Sequence, residues 1–195
     1  DTYMYPILSA IAVAKAKNLN LDISIKALSG YDAPKGRMNV LEGINGSTII
    51  DDTYNSSPDA VISALNTLKK LQCSGKKIVV LGDMMELGKH STDEHKNVGR
   101  EVAGFANLLV TVGSRSYTTA SEAILAGLPK ENIISFDRSL EVVEYLIPKV
   151  GSGDIVLVKG SQSIRMERIV VSLLKEPQKA DRLLVRQEKE WLEKK

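Results

Sequence analysis

The spacing of apolar residues divides this chain into two parts. In residues 5–18 and 20–28 apolar side chains recur every three or four positions, which predicts two helices. The polar stretch SGYDAPKG, residues 29–36, carries two glycines and a proline and is typical of a linker. We therefore expect residues 1–28 to belong to one domain and residues 37–195 to another, with a hinge between them.

After the linker the apolar period changes from that of a helix to that of a strand. Two alternating runs, 38–43 and 47–51, flank Ile44-Asn45-Gly46 and predict a β-hairpin. Strands are then predicted at 77–81, 108–112, 133–136 and 154–158, and helices at 58–71, 92–106, 117–126, 140–147 and 164–174. Short apolar strands that alternate with helices predict an α/β fold, a mostly parallel sheet with helices on both faces.

The last segment, residues 176–195, carries one apolar stripe and predicts a single amphipathic helix. The stripe consists of Ala180, Leu183, Leu184, Gln187 and Trp191. We expect this helix to pack against the surface of its own domain. A contact between Trp191 and another protein is the alternative.

Composition narrows the possible functions. The formal net charge is +2 and charged residues make up 26% of the chain, a weak bias that favours neither nucleic acid nor an anionic membrane as partner. The one cysteine, Cys73, cannot form an internal disulfide, so a reducing, cytoplasmic location is expected. No apolar run reaches the roughly 20 residues that span a bilayer, so membrane insertion is not expected.

Ligands of such sheets bind outside the carboxyl ends of the strands. The residues that directly follow the predicted strands are mostly polar, charged or glycine: Asp51, Asp52, Tyr54 and Asn55, then Gly82, Asp83 and Met84, then Gly113, Ser114 and Arg115, and last Lys159, Gly160 and Ser161. Two interpretations stay open for each of them. It contacts a ligand, or it serves a local purpose, such as a turn at Asp83. Helix N-caps are the local alternative for Ser57 and for Ser161 or Ser163.

The adjacent carboxylates of Asp51 and Asp52 need a counter-charge, because like charges repel. Side chains alternate along a strand, so the two carboxylates leave on opposite sides and only one of them faces the ligand edge. Since that edge is a rim, we expect the fold to survive replacement of the aspartate that faces it.

Several catalytic patterns are missing from these residues. No G-x-x-x-x-G-K-[ST] run occurs, and Gly151-Ser152-Gly153 precedes a strand where a dinucleotide-binding loop would follow one. Two histidines are too few for a zinc site, and no Ser-His-Asp or Cys-His set is indicated. We expect these residues to cradle a ligand without a nucleophile or a metal site.

Three stretches resemble, in order, motifs of the Mur ligases, the ATP-dependent amide-forming ligases of peptidoglycan synthesis. They are GRMNVLEGINGSTIIDDTYNSSPDAV, VVLGDMMELG and VLVKGSQSIRMERIV. The most specific part is DDTYN followed by a helix that begins with proline. It is similar to the branch of the family that joins D-alanyl-D-alanine to UDP-N-acetylmuramoyl-tripeptide through an acyl phosphate.

The resemblance implies a domain organisation and a set of ligands. Residues 1–28 would be the last helices of a central ATP-binding domain, and residues 37–195 a Rossmann-like C-terminal domain. ATP and Mg²⁺ would be the cofactors, with the magnesium ligands in the central domain. The UDP-sugar tripeptide and D-alanyl-D-alanine would be the substrates, and we expect a monomer.

The resemblance also implies roles for single residues. ATP is expected to contact Arg37, Asp52, Tyr54 and Asn55, with Asp52 accepting hydrogen bonds from the ribose. The acceptor dipeptide is expected to contact Asp83, Met84, Lys159, Gly160 and Ser161. No residue of this chain is expected to be catalytic. Because the P-loop is absent, the chain alone is expected to show no ATPase or ligase activity.

Two alternatives stay open. One is a Mur-type ligase with another amino acid as acceptor. The other is a stand-alone receiver-like domain in which Asp83 accepts a phosphoryl group, helped by Asp51, Asp52 and Lys159.

Overall fold

A computed structural model describes residues 4–30 and 34–193 of the chain. The chain divides into two compact units, Asp1–Pro34 and Lys35–Lys195. The division falls within the predicted linker 29–36, of which residues 31–33 lie outside the described part.

The first unit contains the two helices that the apolar spacing predicts. Helix α1 spans Met4–Ala16 and helix α2 spans Leu21–Leu28. Asn20 caps α2, since its side-chain oxygen accepts a hydrogen bond from the backbone N–H of Ile23 at 3.1 Å.

The second unit is an α/β domain built on one six-stranded sheet. Its strands are β1 (Asn39–Glu42), β2 (Thr48–Asp52), β3 (Lys77–Gly82), β4 (Leu108–Val112), β5 (Ile133–Phe136) and β6 (Ile155–Lys159). Its helices are α3 (Pro58–Lys70), α4 (Ser91–Ala103), α5 (Ser116–Leu125), α6 (Ser139–Leu146), α7 (Glu167–Leu173), α8 (Ala180–Leu183) and α9 (Lys189–Leu192). The predicted fold class is confirmed.

The strand order is β1-β2-β6-β3-β4-β5, and only β1 runs antiparallel to its neighbour. The last strand of the chain therefore enters the middle of the sheet. As a result the carboxyl end of β6 lies between those of β2 and β3, where three loops that are distant in sequence meet.

Both faces of the sheet are buried, as the continuous apolar strands predict. Along β3, Ile78 and Val80 pack in one core cluster with side chains of α6 and α7, whereas Val79 and Leu81 pack in the other with side chains of α3, α4 and α5. Helices thus cover both faces of the sheet, and the loops that follow the strands lie at its carboxyl edge.

The predicted helix over residues 176–195 is wrong for the residues that the structure describes. Helices α8 and α9 have four residues each, and the chain between them is not helical. Leu184 is extended and buried, and Arg186 has a left-handed backbone with φ of 57°. The stripe does pack inward at Ala180 and Leu184, but tertiary contacts of Arg186 override the helical period.

The helix predicted from residue 164 begins only at Glu167. Residues 162–164 form a single 3-10 turn, and Arg165 is left-handed with φ of 61°. Among the described residues, no helix is long and apolar enough to cross a bilayer.

Candidate functional site

The carboxyl ends of β2 and β6 meet in a buried ion pair. Asp52 and Lys159 are register partners on these strands, and Lys159 Nζ lies 2.6 Å from Asp52 Oδ2. The lysine side chain is 2% exposed and the aspartate side chain 11%. The other oxygen of Asp52 accepts a hydrogen bond from the Met38 N–H at 3.2 Å. Asp52 therefore lies at the carboxyl edge of the sheet, as expected from the sequence, but its carboxylate is nearly enclosed.

The neighbouring carboxylate, Asp51, points elsewhere, as strand alternation predicts. Asp51 is fully buried, and its Oδ1 accepts hydrogen bonds from Thr53, from Oγ1 at 2.6 Å and from the N–H at 3.2 Å. Its Oδ2 has no hydrogen-bond partner in the structure. Burial raises the pKa of Asp51 to about 6, because an ionised carboxylate loses its hydration there, and the Thr53 bonds offset only part of that effect.

The loop after β2 is shaped by contacts of its backbone. Lys159 Nζ also donates to the carbonyl oxygen of Asn55 at 3.0 Å, so the same ammonium holds the end of the strand and the loop that follows it. The Tyr54 N–H donates to the Gly36 carbonyl at 2.9 Å. Gly36 has φ of +69°, and a Cβ there would lie 2.9 Å from the Tyr54 nitrogen, so this approach requires glycine.

Two of the predicted nucleotide contacts form an exposed stack. The guanidinium carbon of Arg37 lies 4.4 Å from the centre of the Tyr54 ring, within the range of a cation–π contact. Tyr54 is 48% exposed. A flat aromatic ring and a cation are thus presented together beyond the end of β2.

A cavity of about 800 Å³ opens beside these loops. It is lined by residues 55–57 after β2, residues 85–87 after β3, residues 161–163 after β6, and Trp191 of the C-terminal segment. Its volume lies within the range that holds small-molecule ligands, and its lining mixes hydroxyl and amide groups with apolar side chains.

At the end of β3, the carboxylate of Asp83 binds a neighbouring loop of the protein and does not face the cavity. Asp83 is 2% exposed, and its Oδ1 accepts a hydrogen bond from the N–H of Ser116, at the start of α5, at 2.7 Å. Its Oδ2 lies 3.6 Å from Arg115 Nη1. Gly113, with φ of +99°, makes room for the carboxylate, since a Cβ there would lie 2.6 Å from Asp83 Cγ. In this structure Asp83 holds the loop after β4.

The Met84 side chain, another predicted acceptor contact, lies in the core with 2% exposure. Its N–H donates to Nε2 of buried His95 at 3.1 Å, and His95 Nδ1 lies 2.7 Å from the Ser91 carbonyl. The imidazole thus supports the loop from behind and also contacts a carbonyl oxygen of its own helix. The methionine that the structure places at the cavity is the next residue, Met85, which the sequence did not single out.

The glycines after β3 and β6 allow two backbones to approach closely. A Cβ on Gly160 would lie 2.6 Å from Met166 Cγ and 3.0 Å from Gly82 Cα. Ser161 joins the same loops: its N–H donates to the Asp83 carbonyl at 3.0 Å, and its Oγ accepts from the Met85 N–H at 2.9 Å. Ser161 therefore lies at the cavity and also fixes its wall.

Sequence reasoning missed the contribution of the C-terminal segment. Buried Arg186 donates to the carbonyl oxygens of Thr53 and Tyr54, and Trp191 lines the cavity. The one available signal was that a lone tryptophan and an arginine lie in an amphipathic tail. The contacts themselves leave no trace in sequence, because backbone carbonyls accept them.

The described residues form no metal centre built from several protein side chains. Within residues 4–30 and 34–193 no group of three or more His, Cys, Asp or Glu side chains is placed to hold a metal ion.

The family of the chain follows from comparison with known proteins. The model of the family described as "Mur ligase, glutamate ligase domain" matches residues 36–162, which include the ends of β2, β3 and β6. The chain belongs to the Mur ligase family. The resemblance of its three motifs to this family is thereby confirmed.

Among curated Mur ligases, the chain is similar to several that are named UDP-N-acetylmuramoyl-tripeptide–D-alanyl-D-alanine ligase. The Bacillus subtilis relative is 27% identical over 186 residues, 91% of this chain and 41% of the relative. The relative from Buchnera aphidicola subsp. Baizongia pistaciae is 32% identical over 176 residues, which cover 89% of this chain and 36% of the relative. The Escherichia coli relative is 29% identical over 170 residues, which cover 85% of this chain and 35% of the relative. The chain thus spans about two fifths or less of the length of these relatives.

Solved Mur ligase structures share the fold. The MurF ligase of Thermotoga maritima, solved in complex with ADP, is 29% identical with a TM-score of 0.69, and the match covers 87% of this chain and 37% of that one. A MurF structure from Acinetobacter baumannii is 29% identical with a TM-score of 0.74, covering 86% and 36%. Membership of the Mur ligase family argues against the alternative of a stand-alone receiver-like domain. The carboxylate of Asp83, which would accept the phosphoryl group in such a domain, is buried and bound to the Ser116 N–H.

Proposed function

We propose that this chain is the C-terminal part of an ATP-dependent ligase that adds D-alanyl-D-alanine to UDP-N-acetylmuramoyl-tripeptide. The observation that carries the proposal is that relatives with this one activity in their names align with 67–91% of the chain. A Mur-type ligase with another acceptor is the second candidate, since the family model is described by a glutamate ligase domain.

The proposed reaction has two steps. The tripeptide carboxylate takes the γ-phosphoryl group of ATP, which gives an acyl phosphate and ADP. The amine of D-alanyl-D-alanine then attacks the acyl carbon, an amide bond forms, phosphate leaves and the amine loses a proton. Such chemistry depends on positioning and on charge stabilisation more than on a protein nucleophile. The magnesium ligands are proposed to lie in the central domain.

The nucleotide is proposed to bind beyond the end of β2. Arg37 and Tyr54 offer a cation and a ring in contact with each other, which suits a phosphate and a nucleoside. Asp52 is proposed to accept from the ribose. Because that carboxylate now binds Lys159 and the Met38 N–H, a ribose hydroxyl must share it with them. Asn55 is proposed to contact the nucleotide through its exposed side chain.

The acceptor dipeptide is proposed to occupy the cavity of about 800 Å³. Ser161 is at its wall. Lys159 is proposed to act from behind the Asn55 loop, whose carbonyl oxygen it binds. Gly160, Asp83 and Met84 are not among the residues that line the cavity. They are proposed to act through the loops whose shape they fix.

The division into two units suggests a use for the linker. We propose that residues 1–28 are the end of the central ATP-binding domain and that residues 29–36 act as a hinge during closure, which ligases need in order to exclude water from an acyl phosphate. With ATP as substrate, the site of action is proposed to be the cytoplasm, and the enzyme a monomer.

The test uses the full-length protein that contains these residues. Phosphate release is measured with ATP, Mg²⁺ and UDP-N-acetylmuramoyl-tripeptide, in the presence of D-alanyl-D-alanine or of a single amino acid. We expect release and amide product with the dipeptide only. Product with D-glutamate or another single amino acid, and none with the dipeptide, would establish the second candidate instead.

A further inference from the structure

The C-terminal tail, residues 177–193, lies beyond the range 36–162 that the family model matches, yet it reaches the carboxyl edge of the sheet. Its Arg186 is 6% exposed. Both terminal nitrogens of its guanidinium donate to the carbonyl oxygen of Thr53, at 3.1 and 3.0 Å, and Nη2 also donates to that of Tyr54 at 2.7 Å. One side chain thus fixes two successive peptide groups directly after β2.

Arg186 is itself held in place from α7. Its Nη1 lies 3.3 Å from Oε2 of Glu167, which is 1% exposed, and the other oxygen of Glu167 accepts from Arg165 Nε at 2.5 Å. The pKa of the Arg186 guanidinium is lowered by burial, so enclosing this cation has a cost that a solvent-exposed arginine would avoid.

The same network reaches the loop after β6. Arg165 follows the cavity-lining residues 161–163, and its Nη1 donates to the Trp191 carbonyl at 2.8 Å. The Trp191 ring lies 5.2 Å from the guanidinium of Arg165 and 5.9 Å from that of Arg186. The tail therefore links the loop proposed to bind ATP with the loop proposed to bind the acceptor.

We propose that Arg186 is a positioning residue, which holds the backbone of residues 53–55 so that Tyr54 and Asn55 present their side chains to the nucleotide. This inference rests on the proposed function. Packing alone would be served by an apolar side chain. A forked donor that meets two consecutive carbonyls restricts the orientation of both peptide groups, and the Tyr54 and Asn55 side chains leave the chain at these groups.

The test compares three variants of the full-length ligase. Arg186→Lys keeps a positive charge beside Glu167 but replaces the rigid planar fork of donors with one nitrogen on a flexible stem. Arg186→Met also removes the charge. Arg182→Met is the matched control, because Arg182 is exposed on the same tail. We expect both Arg186 variants to raise the KM for ATP about tenfold while kcat and the KM for the dipeptide change by less than about threefold. Arg182→Met should behave like the wild type.

A lower melting temperature in the Arg186 variants with an unchanged KM for ATP would overturn the proposal, because Arg186 would then serve stability alone. If Arg186→Met does not fold, Arg186→Lys decides.

If the wild-type enzyme does not use ATP and the dipeptide, the proposed function fails instead, and hydrogen exchange still tests the positioning. Amide protection at residues 54–57 should then fall in Arg186→Lys and not in Arg182→Met, and equal protection would overturn it.

Discussion

Two ion pairs of almost equal length lie at opposite edges of the sheet. At the carboxyl edge, Lys159 and Asp52 are 2.6 Å apart and their side chains are 2% and 11% exposed. At the amino edge, Lys175 and Glu42 are 2.7 Å apart and their side chains are 62% and 78% exposed. The N–O distances of the two pairs are nearly the same, and the solvent exposure of their side chains differs almost completely.

This difference separates stability from function. An exposed pair gives up little hydration and contributes little, whereas burying two charges costs several kcal/mol that their attraction only partly returns. The buried pair at the ends of β2 and β6 is therefore expected to add little to the free energy of unfolding, compared with apolar side chains in the same place. Its position in the sheet is the one in which ligands of parallel α/β folds bind, and this agrees with a binding role for Asp52 and Lys159.

The largest effect is expected from breaking the buried pair. Lys159→Met leaves the Asp52 carboxylate enclosed without its counter-charge and should lower the free energy of unfolding by about 3–5 kcal/mol. Asp52→Asn leaves the buried Lys159 ammonium without its counter-charge and should also lower the free energy of unfolding. The double variant should recover part of the loss, because neither buried charge is then left alone.

The same substitution at the exposed pair is the control for this prediction. Lys175→Met should leave the midpoint of urea denaturation unchanged within error, since both partners are already solvated. Equal losses from Lys159→Met and Lys175→Met would show that burial does not distinguish the two edges.

The second effect concerns the pH dependence contributed by Asp51. Its pKa rises from the ordinary 3.8 to about 6 in the folded state, so the native protein binds this proton more tightly than the unfolded chain. This contribution to stability is present below pH 4 and is lost as the pH rises to 6, by about 3 kcal/mol for a shift of about two pH units.

Asp51→Asn should remove this pH dependence, because an amide does not ionise in this range. Its Oδ1 can still accept the hydrogen bonds from Thr53. The difference in unfolding free energy between wild type and variant, measured at intervals from pH 4 to 7, should favour the variant increasingly as the pH rises. A difference that does not change with pH would show that Asp51 titrates normally.

A smaller effect is expected at the end of β4. Gly113 and Gly127 have almost the same φ, +99° and +102°, but only at Gly113 would a Cβ meet another group, the Asp83 carboxyl group at 2.6 Å. Gly127→Ala should cost about 1 kcal/mol from backbone strain, and Gly113→Ala about 1–3 kcal/mol more from displacing Asp83. Thermal unfolding of the two variants measures the difference, and equal losses would mean that Asp83 is not held by this contact.

The sheet could be predicted from sequence because its strands are short apolar runs with clear boundaries. The rule that ligands bind beyond the carboxyl ends then selected Asp52, Asp83 and Lys159 correctly as edge residues. It could not distinguish their environments. Asp52 meets Lys159 only because β6 enters the sheet between β2 and β3, whereas Asp83 meets the N-terminus of α5.

The prediction of one helix for the tail was wrong for a related reason. Its apolar stripe predicts burial, and Ala180 and Leu184 are buried, but a stripe alone does not establish a helix. Arg186 contacts Thr53 across 133 positions of sequence, and it does so from a left-handed backbone that helical periodicity cannot indicate. Long-range contacts to backbone carbonyls have no residue pattern to predict them.

The most direct test of the proposed ligand edge compares two exposed tyrosines that follow neighbouring parts of it. Tyr54, 48% exposed, lies beyond β2, and Tyr117, 44% exposed, lies in α5 beyond β4. In the full-length ligase, Tyr54→Ala should raise the KM for ATP about tenfold with little change in melting temperature, and Tyr117→Ala should leave it unchanged. An unchanged KM for ATP in Tyr54→Ala, or an equal rise in both variants, would contradict the assignment of nucleotide binding to the end of β2.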